Sequence, residues 1–523
     1  MSTTHWVDVE HLARDPKVVD RCTPEGVAAG LAHLGGVEVV SVTVNTSGRF
    51  QPPPPNMVLS IPPPPELVGL PDYCDVRIRH TGLGGHVADI VVWLPLDWNG
   101  RFLGCAGGGN RTETSWYYPF AMPCRAISLE RAVVNGFATA TTDAGNRDSR
   151  SVAWGLDPAT RELDWDLIEN WVHRSTHEMT VIGKAVTEAI YGTPPQYSYF
   201  QGSSGGGRQA MMQAQRYPDD YDGIWSSDPA INWSRFIPAE IWPALVMKEE
   251  NNPLAPAKLA AFRDAFLTAV NGPDGERYLT EVAVPDWDPH SLVGTETDAG
   301  VITETDAQVI RKIWDGPRRA TGEQLWYGLR PGTESEGRLM GAALAYTEII
   351  DGQLRPVPFS LAADYLGAWI AREPEWDWTT LTYQQFEEYF DRSVAEFAAT
   401  DTDDPDLSGL RDAGGKVLLS QALADQVIFP EGTLQYYQRV LDTMGGQQHT
   451  NPYLQLYVSP GDGHSTISAD GPGLTLAAGM AALMNWVEHD TVPASIVGER
   501  YDPSGNHLGS HPLLPYEAQR EHP

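Results

Sequence analysis

The apolar and polar positions of this chain set out strands first, then a helical middle, then strands again. A short helix is expected near residues 23–33, with Thr23 as its cap and Glu25 in its first turn, followed by a β-rich run over residues 37–44. Proline runs at 52–55 and 62–65 mark an extended connection. From residue 73 the alternation is that of strands: CDVRIRH (74–80), HVADIVVWLPL (86–96) and RFLGCAGGGNRT (101–112). Residues 132–142 (AVVNGFATATT) read as a strand pair or as a helix end plus strand, and residues 171–191 as a long amphipathic helix. A strand over 197–201 then runs into a helix over 208–216, which is built from strong helix formers. This alternation up to residue 228 predicts a parallel sheet covered on both faces, with its ligand site at the carboxyl ends of the strands.

Between residues 229 and 405 the pattern changes. The stretch is rich in Trp, Pro and acidic residues, with helices expected at 255–270, 305–314 and 383–397 and no continuous β pattern. Strands resume at 416–419 (KVLL) and 453–458 (YLQLYV). The expected organisation is therefore an α/β core in two parts, 1–228 and 406–523, with a lid domain over 229–405. Trp369, Trp376 and Trp378 in that insert are candidates for an aromatic acyl pocket, although packing is the commoner use of such side chains.

Candidate chemistry sits where strands end. Gly202-Ser203-Ser204-Gly205-Gly206 is a G-x-S-x-G between the strand at 197–201 and its helix. Small neighbours allow the strained turn that lifts a serine hydroxyl clear of a sheet, and the Gly205 N–H can face an oxyanion. A phosphate-cradling loop is the poorer reading, because no Gly-Lys-Ser/Thr closes the motif. The cluster Gly107-Gly108-Gly109-Asn110 follows an earlier strand, where a second oxyanion donor is expected near Gly108; an ordinary glycine turn reads equally well. Asp143, at the end of its strand, reads best as a turn former. Asp425 follows the strand at 416–419, and His464 follows the strand at 453–458 in Ser459-Pro460-Gly461-Asp462-Gly463-His464. Serine needs an imidazole to take its proton, and the imidazole needs a carboxylate to fix its tautomer. The order Ser, Asp, His therefore assigns Ser204 as nucleophile, His464 as base then acid, and Asp425 as orienter.

Composition narrows the partners. Lys plus Arg is 36 and Asp plus Glu 69, a net charge of −33 that opposes binding to nucleic acid or anionic membrane. No run approaches 18 apolar residues, and residues 1–17 lack the apolar core of a secretory signal, so a soluble, cytoplasmic protein is expected. Cys22, Cys74, Cys105 and Cys124 are too few for a disulfide scaffold and show no zinc spacing, which points to a reducing compartment. The expected partner is a small ester; homo-oligomerisation is left open.

These motifs resemble the tannase and feruloyl esterase family of serine esterases. The likeness is carried by LPDYCDVRIRH, WLPLDWNGRFLGCAGGG, GFATATTDAG, YFQGSSGGGRQAMMQAQRYPDDYDGI, DLSGLRDAGGKVLL, SPGDGHS and GPGLTLAAGMAALMNWVE. The resemblance implies an α/β-hydrolase core with a large lid, ester hydrolysis through an acyl-enzyme, and a preference for esters of aromatic acids. It places the family's motif residues on Ser204, Asp425 and His464. Departures from the family are specific. A disulfide that the family places beside the nucleophile and the histidine would fall on Ser203 and Ser465, and a further family cysteine on Leu514, while Cys22 and Cys74 resemble an N-terminal pair. A family histidine is replaced by Gln421, and a proline after Asp425 by Gln426. The calcium loop of many members corresponds to residues 271–278, where Asp274 is present but Tyr278 replaces an acidic ligand, so neither calcium nor another cofactor is expected. The function expected is a serine esterase acting on an aromatic or polyketide-like ester. The alternatives are a biosynthetic acyltransferase using the same acyl-serine, or an inactive binding protein.

Overall fold

A computed structural model describes residues 6–9, 12, 16–54, 56, 63–113, 125–146, 148–335, 344–464, 470–502 and 504–517. Of the residues singled out above, Pro55, Pro62, Cys124 and Ser465 lie outside this set. The strand-forming stretches become β1 (Val37–Asn45), β2 (Tyr73–Thr81), β3 (Val87–Pro95), β4 (Arg101–Cys105), β5 (Ala138–Thr142), β6 (Tyr197–Ser203), β7 (Gly223–Ser227), β8 (Lys416–Ala422) and β9 (Leu454–Ser459). They form one sheet in the order β1-β2-β3-β5-β4-β6-β7-β8-β9.

The sheet is parallel from β5 through β9 but antiparallel from β1 to β5, which corrects the all-parallel expectation. A parallel crossover takes a dozen or more residues. β2 and β3 are joined only by residues 82–86, so they close as neighbours running in opposite directions. In the parallel half, β7 and β9 are buried along their whole length, and β6 and β8 everywhere but their first residue. Successive residues feed opposite faces. Phe200, Ile224, Val417 and Leu419 join one hydrophobic core, while Tyr199, Trp225 and Leu418 join the other.

The helices that cover the sheet follow from the same pattern. On one face lie α1 (Pro24–Leu31), capped by Thr23 through the Gly26 N–H at 3.1 Å, and later α3, α4 and α5; on the other lie α2 (Leu129–Val134) and α6. Here α3 is Ser175–Tyr191, α4 Gly205–Arg216, α5 Pro430–Thr443 and α6 Leu476–His489. Residues 132–142 thus adopt the second of their two readings, a helix end plus strand. The long helix expected over 171–191 is interrupted by a π-turn at Asn170–Arg174. Cys22 and Cys74 are free thiols in mutual hydrogen-bond contact; that bond and burial push the Cys74 thiol up.

Between β7 and β8 the chain forms helices at Pro256–Asn271, Glu304–Asp315 and Tyr383–Phe397, close to the expected spans. It also forms two small hairpins, Glu296–Thr297 with Gly300–Val301 and Thr347–Ile350 with Gln353–Pro356, too short to leave a periodic signal. This insert shares a hydrophobic core with residues 152–172 and 427–429. Trp369 belongs to that core: it is 1% exposed, donates from Nε1 to the Val152 carbonyl at 2.7 Å and stacks on Phe397 at 5.2 Å. Trp376 and Trp378 pack against the same cluster, so all three serve packing.

Candidate active site

Strand register brings the chemistry to one edge. Ser203 of β6 pairs with Ser227 of β7, Ser227 pairs with Ser420 of β8, and Ala422 of β8 pairs with Ser459 of β9. The residues that follow these strands therefore leave the sheet on the same side. Ser204 does so with φ +63° and ψ −125°, a conformation that costs a non-glycine residue about 1–3 kcal/mol. It is held there on both sides of its peptide. Its N–H donates to the Ser227 carbonyl at 2.9 Å, and its carbonyl accepts from Arg208 at 3.0 Å and Ala230 at 3.1 Å.

The turn is possible because backbone fills the space that side chains would need. A Cβ on Gly202 would lie 2.1 Å from the Gly206 carbonyl oxygen, and one on Gly205 2.2 Å from that of Gly109. The glycine cluster after β4 thus packs directly on the serine turn. Gly107 and Gly109 make the close contacts, with Gly108 between them. Gln209 on α4 clamps this loop, accepting from the Gly107 N–H at 3.1 Å and donating to the Arg111 carbonyl at 3.2 Å. Arg208 anchors the same helix. Its guanidinium lies 3.9 Å over the Trp171 ring and donates to the Trp171 and Val172 carbonyls, which the π-turn leaves available. Burial pulls its pKa down to about 9.

Asp425 and His464 meet. His464 Nδ1 lies 2.7 Å from Asp425 Oδ2, and Asp425 Oδ1 accepts the Val427 and Ile428 N–H groups at 2.8 Å each. Both glutamines singled out in the sequence take part. Gln426 Oε1 accepts the His464 N–H at 3.0 Å, and Gln421, itself held by Thr433 at 2.8 Å, donates weakly to Asp425 at 3.4 Å. Burial disfavours the His464 imidazolium, but the adjacent Asp425 and Asp228 carboxylates outweigh it and raise the pKa. Among the described residues the partly exposed Ser204 makes no side-chain hydrogen bond to His464. Such contacts often tighten only when substrate binds.

The family model described as tannase and feruloyl esterase matches residues 83–522. The chain belongs to the tannase and feruloyl esterase family. A probable feruloyl esterase of Arthroderma benhamiae is 33% identical over 503 residues, covering 92% of this chain and 89% of that protein. Among solved structures, a tannin acyl hydrolase from Aspergillus niger superposes with a TM-score of 0.79 at 23% identity, over 96% of this chain and 93% of that one. Feruloyl esterase B from Aspergillus oryzae gives 0.72 at 21%, over 94% and 95%. At these identities the structures establish the fold, an α/β-hydrolase, and the family membership makes the chain an ester hydrolase.

Three residues near this esterase's site were not singled out from sequence. Asp228 follows β7 as Ser204 follows β6, and a carboxylate oxygen of it lies within 4.8 Å of a carboxylate oxygen of Asp425 and a ring nitrogen of His464. Arg125 bonds Asp228, Asp462 and the Gly463 carbonyl. The available signal was a charge in wholly buried surroundings: aspartates at two strand ends and one arginine too far along the chain to be matched to them. In the loop at 271–278, Asn271 Nδ2 donates to the Glu276 and Tyr278 carbonyls at 2.7 Å each.

Proposed function

We propose that Ser204, His464 and Asp425 form a catalytic triad that hydrolyses a carboxylic ester of an aromatic acid through an acyl-enzyme. One observation carries this reading: the 2.7 Å Asp425–His464 pair shares a sheet edge with a serine in a positive-φ strand-to-helix turn. In this mechanism His464 takes the Ser204 proton as Oγ attacks the ester carbonyl. The Gly205 N–H and one from the Gly107–Gly109 loop receive the oxyanion. Asp425, buried and bonded at Nδ1, leaves His464 with Nε2 free to act and stabilises the imidazolium. His464 then protonates the departing alcohol; water attacks the acyl-serine with His464 again as base, and as the carbonyl–Oγ bond breaks His464 returns that proton to Ser204 and the acid leaves.

The aromatic acyl group is proposed on the likeness to proteins named feruloyl esterase and tannin acyl hydrolase. The insert between β7 and β8 is proposed to act as a lid, and the reaction to need neither calcium nor a disulfide. An ester panel spanning gallate, ferulate and simple aryl esters, with organophosphonate labelling, tests the reading. Wild type should label at Ser204 and turn over an aromatic ester, whereas Ser204→Ala should do neither while unfolding at an unchanged temperature. Near-normal turnover by Ser204→Ala would overturn the assignment.

A further inference from the structure

We infer that Arg125 is a positioning residue: its guanidinium ties the end of β7 beside Ser204 to the loop that carries His464, and offsets the carboxylate of Asp228 beside the imidazole. This rests on the triad assignment above.

The tie is built from buried bonds. Arg125 Nε and Nη2 donate to Asp228 Oδ2 at 3.1 and 2.7 Å, Nη1 donates to Asp462, and Nη2 donates to the Gly463 carbonyl at 2.8 Å. Arg125, Asp228 and Asp462 are 1%, 1% and 0% exposed, so solvent cannot screen the pairing. Each end is anchored to the sheet. The Arg125 carbonyl accepts Gln201 of β6 at 2.7 Å, Asp228 Oδ1 accepts the Ala422 N–H of β8 at 2.8 Å, and the Asp228 N–H donates to the Ser420 carbonyl at 2.8 Å. At the far end the Asp462 carbonyl accepts the Ala424 N–H at 3.1 Å, one residue before Asp425. The guanidinium therefore joins the end of β7 to the histidine loop, while the Arg125 carbonyl reaches β6 and Asp228 reaches β8, so the pair links the strand ends that present serine, acid and base. Residues 203 and 465 are serines, so no disulfide joins the serine turn to the histidine loop there. The ionic bridge supplies that connection without covalent bonds.

The same arrangement sets the charge around the base. Among the described residues, those facing His464 are Asp425 from the loop after β8, Asp228 from the end of β7 and Arg125 from the segment before α2; Asp462 precedes it in its own loop. Burial, and then the charge of Asp425, push the carboxyl of the buried Glu240 well above the usual carboxylate range. Asp228 favours the imidazolium and Arg125 opposes it, so the two act on His464 with opposite sign.

The test is the acid limb of the kcat/KM–pH profile of the full chain. Arg125→Gln should lower kcat/KM by roughly 100-fold as the loop loosens. It should also move the limb up by about 0.5–1 unit, because two carboxylates lose their counter-charge. Arg125→Lys keeps the charge but not the four-bond geometry; its kcat should fall while the limb stays within about 0.2 unit of wild type. Asp228→Asn, nearly isosteric, should move the limb down, and it carries the test if Arg125→Gln does not fold. An unmoved limb in both Arg125→Gln and Asp228→Asn, or shifts of the same sign, would overturn the inference. Loss of activity in Ser204→Ala is scored separately, so failure of the triad is distinguishable from failure of the bridge.

Discussion

Gly205→Ala isolates the contact on which the proposed oxyanion site depends. Two effects oppose each other. Gly205 opens α4, so alanine there gains about 0.5–1 kcal/mol of helix propensity. The new methyl would, however, lie 2.2 Å from the Gly109 carbonyl oxygen, where Cβ contacts in real structures keep at least 3.0 Å. Serine turn and glycine loop must then part by about 0.8 Å, the difference between those distances. Neither can yield cheaply. Both are backbone, Gln209 pins the glycine loop through Gly107 and Arg111, and Trp171 Nε1 holds the Asn110 carbonyl at 3.1 Å. A productive site tolerates displacements of about 0.5 Å, so sterics win. Losing one oxyanion donor costs on the order of 10²–10³ in kcat, or roughly 3–4 kcal/mol, and KM should change by less than about threefold because the loss falls on the transition state. Overpacking of about 1–3 kcal/mol, less the propensity gain, should lower the unfolding temperature only slightly. Steady-state kinetics on an aryl ester and a thermal melt measure both. A folded Gly205→Ala enzyme with kcat within about threefold of wild type would refute the reasoning.

Two further outcomes are expected. Burial raises the Asp143 carboxyl to about 7, against bonds from the Gly145 and Asp89 N–H groups, so the folded state holds a proton that the unfolded chain releases near 3.8. That stability is present below about pH 4 and is lost as pH rises through 7. Asp143→Asn keeps the Oδ1 acceptor and should flatten this dependence, stabilising the protein at pH 8 by on the order of 1–2 kcal/mol without changing it at pH 4; parallel stability–pH curves for the two proteins would contradict it. Because Asn271 Nδ2 occupies the Glu276 and Tyr278 carbonyls of the 271–278 loop and the bridge at Arg125 is ionic, EDTA and dithiothreitol should each leave turnover within about twofold. A tenfold loss in EDTA that calcium restores would put an ion in that loop.

Much of the site was legible because its signals are local. The small residues around Ser204 mark a strained turn between strand and helix, and Asp425 and His464 each follow an apolar run that could only be a buried strand. The long-range partners were not legible. Arg125 lies 103 residues from Asp228 and 337 from Asp462, and a lone arginine between Cys124 and Ala126 carries no periodicity. Alternation records which faces are buried, not which way a neighbour runs; only for β2 and β3 does a short connection, at 82–86, fix the direction, and the other antiparallel pairs of β1 to β5 leave no such local sign.

By itself the sequence determined which segments become strands and helices, the order Ser204, Asp425, His464, and the serines at 203 and 465. Those follow from side-chain periodicity and backbone freedom, properties of neighbouring residues. Only the tertiary structure decided that Gly109 rather than Gly108 touches Gly205, that Gln209 and Gln426 hold the loops, and that Arg125 gathers two aspartates beside the imidazole. Packing and charge balance are set by residues distant in the chain but within a few ångströms in space, and they exist only once the sheet register brings those residues together.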